Sequence, residues 1–308
     1  MAAVRRILID CDPGLDDAAA ILMALGARAV LDLVALTTVA GNVGLAAVTR
    51  NASGLLALAG RTDVPLHAGC PRALVGGTLR AQHVHGEGGI GGVDLPVGVS
   101  ARSEHAVDAI RRIARESGPK GLTLVPIGPL TNIACALVMA PDIADCLSEI
   151  VVMGGAARVG GNVTPVAEFN FAADPHAARI VLESGVPVVV MPLDVTRQAV
   201  VTEARIDALR TLATPVGETL AAMLAAYRGR TGRAVLHDPC TIAYLLAPDL
   251  FRGEGVAATV DTASDVSMGR LVADWNGQTG RDPTVTIMSD LDADGFYDLL
   301  VAQIRALS

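Results

Sequence analysis

Lysine is almost missing from this chain. Of its 24 basic residues only Lys120 is a lysine, and arginine supplies the rest. Acidic residues number 32, so the formal net charge is −8, which argues against nucleic acid as a primary partner. Aromatics make up 3% of the residues, with Trp275 the single tryptophan. A chain that is nonetheless 51% hydrophobic must build its core from Ala, Val, Leu and Ile. That composition suits a parallel sheet covered by helices on both faces. The five cysteines are odd in number and irregularly spaced, which excludes a disulfide framework. Cys11, Cys70, Cys135, Cys146 and Cys240 read instead as small buried residues. No uninterrupted apolar run is long enough to span a bilayer. The basic start, Met1 to Arg6, meets Asp10 before a signal-peptide core can form. The expectation is a soluble, cytoplasmic protein. With no repeat, linker or low-complexity segment, residues 1–308 read as a single domain.

What is present is concentrated at one place. Asp10-Cys11-Asp12-Pro13-Gly14-Leu15-Asp16-Asp17 follows a short apolar run, Ile7-Leu8-Ile9, and precedes the helix formers from Ala18 to Leu25. Pro13-Gly14 marks a strand-to-helix turn, and Asp16 and Asp17 fall in the first turn of the helix, where the macrodipole favours negative charge. Acids are common at such starts, and one of the pair read simply as a cap is a fair competitor. Capping does not account for four carboxylates within eight residues, because like charges that close repel unless a cation lies among them. Oxygen donors without Cys or a His pair point to a hard ion, Ca²⁺ or Mg²⁺.

Strand and helix patterns then alternate, predicting right-handed βαβ units in one open, mostly parallel, twisted sheet flanked by helices. Ligands of such sheets bind beyond the carboxyl ends of the strands. Leu33 to Val39 reads as a strand ending at Gly41-Asn42, where Asn42 is either a site residue or an ordinary turn residue. Gly76 to Gly98 is glycine-rich and aperiodic, and reads as a loop, with Gln82-His83-Val84-His85 on a mobile flap. Glu168 and Asn170 alternate with aromatics and are expected to point the same way, a solvated face being the plain alternative. Asp174-Pro175 and Asp238-Pro239 both carry the N-cap signature. Arg228 to Arg233 reads as a basic, flexible connection. Gly255 to Val260, Ser267 to Trp275 and Thr284 to Met288 read as strands of a small antiparallel C-terminal extension, closed by a helix from about Asp292 to Ala306.

With these residues assembled, the chain resembles the calcium-dependent nucleoside hydrolases, the inosine-uridine-preferring group. The opening Asp10 to Asp17 stretch is that family's signature. Thr38 to Asn42, His83 to Glu87, Gly128 to Ala134, Val152 to Gly155, Glu168 to Asn170 and His237 to Cys240 follow in family order. The resemblance implies hydrolysis of the N-glycosidic bond of ribonucleosides to free base and ribose. It implies that Asp12, Asp17 and Asp238 ligate Ca²⁺ through carboxylates and Ile127 through its carbonyl, where the family usually has threonine. It implies that Asp16, Asn42, Glu168 and Asn170 hold the ribose hydroxyls, that Met153 packs on the sugar, and that Asp12 takes the proton of a metal-bound water. His237 is the candidate acid for the leaving base, and His83 and Tyr227 belong to the base pocket. Trp275 could approach the base, a structural role being the stronger reading. The family tends toward homodimers or homotetramers.

Two rival readings share features of this chain. A haloacid dehalogenase-type phosphohydrolase also carries Asp-x-Asp after its first strand, but it uses a lysine near the phosphate, and Lys120 precedes its strand instead of following it. A non-catalytic nucleoside-binding protein on the same scaffold would bind ribonucleosides without releasing base. The full set of carboxylates argues against it.

Overall fold

The computed structural model describes residues 4–77 and 79–307. Nine strands form one sheet: β1 (Arg5–Cys11), β2 (Leu31–Thr38), β3 (Leu66–Ala68), β4 (Leu122–Pro126), β5 (Leu147–Met153), β6 (Val188–Met191), β7 (Phe251–Val260), β8 (Leu271–Asp274) and β9 (Val285–Leu291). The helices up to the middle of the chain are α1 (Leu15–Gly26), α2 (Leu45–Leu58), α3 (Gln82–His85), α4 (Ala106–Ser117), α5 (Thr131–Met139) and α6 (Phe169–Ala173). They continue with α7 (Pro175–Leu182), α8 (Leu193–Thr196), α9 (Glu203–Arg210), α10 (Pro215–Thr231), α11 (Pro239–Leu246) and α12 (Ala293–Arg305).

The strand order is β3-β2-β1-β4-β5-β6-β9-β7-β8. β1 pairs in parallel with β2 on one side and β4 on the other, so the order reverses direction beside β1. This is the switch point at which open α/β sheets bind ligands. The side chains of β1 alternate between two cores, as the period of a strand requires. Ile7 and Ile9 join the core under α1, α10, α11 and α12, whereas Leu8 joins the one under α4, α5 and α7.

α1 lies between the sheet and other helices, and every residue from Leu15 to Leu25 is buried. A helix enclosed on all sides needs small side chains where its neighbours come closest, which Ala18-Ala19-Ala20 provide. At its end, a Cβ on Gly26 would overlap the Gln303 carbonyl oxygen of α12.

Four sequence expectations change. The Gly76–Gly98 stretch is not all loop: Val84 and His85 donate to the Ala81 carbonyl and close the single turn α3, too short to leave a period in the sequence. Arg228 and Arg230 are not in a flexible connection, because α10 continues to Thr231 and ends at Gly232 in the left-handed region. Arginines suit that helix end because its carbonyls carry partial negative charge. Glu168 and Asn170 both reach the cavity, but from a helix start and not through the alternation with aromatics, since Glu168 caps α6 and Asn170 lies inside it. In the tail, β7 and β8 are antiparallel as expected, but β9 sits inside the main sheet, parallel to β6 and antiparallel to β7.

The α1–α12 approach makes a prediction. Gly26→Ala should lower stability by about 1–3 kcal/mol, the usual cost of forcing an extra methyl into a packed contact. Chemical denaturation read by circular dichroism checks this, and an unchanged midpoint would show that α12 gives way freely.

Candidate active site

The turn after β1 is built around Asp17. Its carboxylate reaches back to accept the Gly14 N–H (2.9 Å) and the Asp12 N–H (3.1 Å). The capping reading is therefore true of Asp17, yet the same oxygen also accepts Asn42 Nδ2 (3.2 Å). Asn42, in the turn after β2, gives its main-chain N–H to Asp12 Oδ2 (2.6 Å) and its Nδ2 to the Asp12 carbonyl (3.1 Å). Three hydrogen bonds thus lock the two turns together, and the Asn42 amide nitrogen is spent on protein. A Cβ on Gly41 would overlap the Asp12 carboxylate, and one on Gly128 would lie 2.5 Å from Asp12 Oδ1. Only glycine at these positions leaves room for that carboxylate between the ends of β2 and β4.

Asp238 comes from the far end of the chain. It precedes Pro239 and starts α11, but its side chain makes no capping hydrogen bond. The other Asp-Pro pair behaves as a cap should: Asp174 accepts the Ala177 N–H at 3.1 Å. Asp238 instead turns toward the first turn of α1, where Asp16, Asp17 and Asp238 bring carboxylate oxygens within 4.8 Å of one another. The tight trio therefore contains Asp16, and Asp12 stands beside it.

All four of these carboxylates are buried. Burial, with Asp17 as the next cause, pushes Asp16 up to about 8. Burial pushes Asp17 itself up to about 6 against the N–H groups that hold it down. Asp12 rises well above the carboxylate range through burial and then through Asp17, and Asp238 through burial and then Asp16 and Asp17. Among the described residues, no lysine or arginine forms an ion pair with any of the four, and the largest neighbouring charges on Asp12, Asp16 and Asp238 are other aspartates. An all-oxygen donor set, buried and uncompensated by any protein cation, fits a hard divalent ion.

Ile127 follows β4 with its side chain in the core, and its carbonyl accepts Asn170 Nδ2 (2.9 Å). Asn170 Nδ2 also donates to the Met153 carbonyl (3.1 Å). Glu168 accepts the N–H groups of Gly155 (2.8 Å), Asn170 (2.9 Å) and Phe171 (3.2 Å), and burial pushes it up to about 7.

Aromatic rings stand beside the carboxylates in the same cavity. His85 Nδ1 accepts the Leu15 N–H (3.0 Å), so its ring proton must sit on Nε2. Its ring lies 6.1 Å from that of Tyr227. Burial, followed by the neighbouring His237 and His83, brings His85 down to about 3. Burial and the charge of Arg197 bring His237 down to about 4. Both imidazoles are neutral at neutral pH.

One cavity gathers nearly every residue singled out in the sequence: Asp12, Asp16, Asn42, His83, Ile127, Met153, Glu168, Asn170, Tyr227, His237 and Asp238 all line it. Asp17 lies buried beside it. The sequence reading missed His85, Asn162, Val163 and Phe169, which line it too. His85 stands two residues from His83, and only the α3 turn shows that His85 is buried while His83 reaches the cavity from an exposed position. Trp275 is elsewhere, with the Arg158 guanidinium 3.7 Å from its ring centroid. The Arg228 guanidinium pairs with Glu203 and does not line the cavity.

The inosine-uridine preferring nucleoside hydrolase family matches residues 7–298. The chain belongs to that family. A Schizosaccharomyces pombe protein described as uncharacterised is 43% identical, over 98% of this chain and 99% of its own length. The pyrimidine-specific ribonucleoside hydrolase RihA of Shewanella woodyi is 39% identical over 99% of each chain. The purine-preferring ribonucleoside hydrolase of Gardnerella vaginalis has a solved structure that superposes with a TM-score of 0.92 at 33% identity, covering 98% of this chain and 99% of that one. As a nucleoside hydrolase, the chain cleaves the N-glycosidic bond of ribonucleosides to base and ribose, and the phosphohydrolase reading is set aside.

The raised carboxyls carry a prediction about pH. In metal-free protein, groups held at about 6 to about 8 keep protons that the unfolded chain, at 3.8 for aspartate and 4.5 for glutamate, has already released. The folded state binds more protons, so stability falls as pH rises from about 4 to about 8. Thermal melts in chelator should show Tm decreasing over that window. Added Ca²⁺ should raise Tm most at the alkaline end, and a Tm that climbs with pH in chelator would refute this account.

Proposed function

We propose that this nucleoside hydrolase works with a Ca²⁺ ion held by the Asp12, Asp17 and Asp238 carboxylates and the Ile127 carbonyl. The observation that carries the proposal is the meeting of four buried carboxylates from two segments far apart in the chain, the β1–α1 turn and the start of α11, with no ion pair to a lysine or arginine among the described residues, at the switch point of the sheet. When bound, the ion supplies a fixed positive charge that orients a water and lowers its pKa.

The residues of the chain divide the rest of the work. Asp12 accepts the proton of the attacking water, with its carboxylate fixed by the Asn42 N–H. Asp16, Asn42, Glu168 and Asn170 hold the ribose hydroxyls. The amide nitrogens of Asn42 and Asn170 are committed to protein carbonyls and carboxylates, which leaves their oxygens as acceptors for such groups. Met153 packs on the sugar. Breaking the glycosidic bond leaves an oxocarbenium-like sugar, and this concentration of carboxylate and amide oxygens stabilises its positive charge. The electron pair of the broken bond goes to the base, which lies among His83, Tyr227 and His237. His237 lines the cavity and is the group placed to donate to the leaving base, as its acid or as a hydrogen-bond donor.

The base preference is open to either class named among the relatives, pyrimidine-specific in one and purine-preferring in another. The resemblance also supports a single-domain enzyme acting in the cytoplasm as a homodimer or homotetramer. Among the described residues, no helix is long and apolar enough to cross a membrane.

Two experiments test this reading. Purified protein with Ca²⁺ should release free base from inosine, adenosine, guanosine, uridine or cytidine but not from the 2′-deoxy forms. Release from both series alike would remove the hydroxyl-binding roles. Asp12→Asn should reduce kcat by at least about 10²-fold, the scale of a lost general base. Turnover near wild type would show that the proton goes elsewhere.

A further inference from the structure

The short helix α8 and the residue that follows it act as a bracket beside the cavity. Asp194 accepts the N–H groups of Ala157 (2.8 Å) and Arg158 (2.7 Å), and the Arg197 guanidinium donates to the Gly161 carbonyl (3.1 Å). These contacts hold the segment that brings Asn162 and Val163 to the cavity. Between them, Thr196 Oγ1 lies 2.8 Å from His237 Nδ1. One helical turn therefore ties both a wall segment and the base-end histidine to β6.

The Thr196 contact decides where His237 carries its proton. Thr196 is fully buried, and among the described residues its hydroxyl has this ring nitrogen as its hydrogen-bond partner. If Nδ1 were the donor, the hydroxyl hydrogen would be left buried without an acceptor, at a cost of about 1–3 kcal/mol. If the hydroxyl donates, both atoms are satisfied and the ring proton sits on Nε2. His237 lines the cavity, and no protein group among the described residues bonds its Nε2.

We propose that Thr196 is a positioning residue that holds His237 as the Nε2–H tautomer, so that the ring presents a hydrogen-bond donor to the departing base. The inference rests on the placing of the base beside His237 under the function proposed above. When the C1′–N bond breaks, its electron pair passes to the base, and an oxygen or nitrogen of that base becomes more negative. An Nε2–H aimed at that atom stabilises the charge as it develops, whereas the other tautomer would direct a lone pair at it. No proton transfer from His237 is required. The substrates that profit are those whose base has an acceptor next to the scissile bond.

The test uses the Ca²⁺-loaded enzyme labelled with ¹⁵N-histidine. The His237 tautomer is read by NMR, and kcat and KM are measured on the best ribonucleoside of the panel. Wild type and Thr196→Ser should both show the Nε2–H form. Thr196→Val, which removes the hydroxyl at nearly constant shape, should lose that form and lower kcat on the order of 10²-fold with KM little changed. An Nδ1–H tautomer in the wild type overturns the inference whether or not any variant folds. A Thr196→Val enzyme that keeps Nε2–H overturns it as well. A changed tautomer with unchanged kcat is a separate failure. It removes His237 from the leaving-base role and takes the catalytic half of this inference with it, while leaving Thr196 as the residue that sets the ring.

Discussion

Mutual repulsion among buried carboxylates is the constraint around which this molecule is arranged. Asp12, Asp16, Asp17 and Asp238 are enclosed together with no ion pair to a lysine or arginine among the described residues. In water such a set would separate. Here each carboxylate is carried on a rigid element: the turn after β1, the first turn of α1 and the start of α11. Main-chain N–H groups offset part of the repulsion at Asp17 and Asp12. What remains is a strong electrostatic demand for a cation, which is what makes the cluster useful to an enzyme that must hold a water and a polyhydroxylated sugar.

Much of the surrounding structure follows from meeting that demand. The carboxylate of Asp12 fits because Gly41 and Gly128 have no Cβ. The turns after β1 and β2 keep their spacing because Asn42 uses both its main-chain and side-chain N–H groups on them. The placement is also topological. β1 and β4 are neighbours in space although more than a hundred residues separate them, and the sheet reverses its order there. The opening left by that reversal is flanked on one side by the ends of β2 and β3 and on the other by those of β4 and β5. The second half of the chain then supplies the far wall, with Glu168, Asn170, Tyr227, His237 and Asp238 lining the cavity.

Part of this was legible in the residue order. The β1 turn could be read because four acids in eight residues exceed any need for capping, and the parallel sheet because apolar runs alternate with helix patterns. The residues that misled did so for local reasons. Glu168-Phe169-Asn170-Phe171 alternates like a strand, yet Glu168 gains two N–H donors by capping a helix and a third from Gly155, choices that alternation cannot reveal. The histidine pair was visible but not its orientation, since a single turn of helix has no period to detect. Asp174 and Asp238 carry the same Asp-Pro signature, and nothing near either of them says that one caps its helix while the other does not. The partners of His85 and Thr196 were invisible for a related reason. Each acts through one hydrogen bond to a residue tens of positions away.

By itself the sequence determined the chemistry available and its order along the chain: hard oxygen donors, histidines and a tyrosine, and a succession of strands and helices able to bury an aliphatic core. It could do so because composition and period are local properties. Only the tertiary structure decided that Asp238 faces Asp16 and Asp17, that Asn170 spans Ile127 and Met153, and which ring nitrogen of His85 carries the proton. Those outcomes depend on distances between segments far apart in the chain, and such distances exist only once the sheet has set the register of its strands.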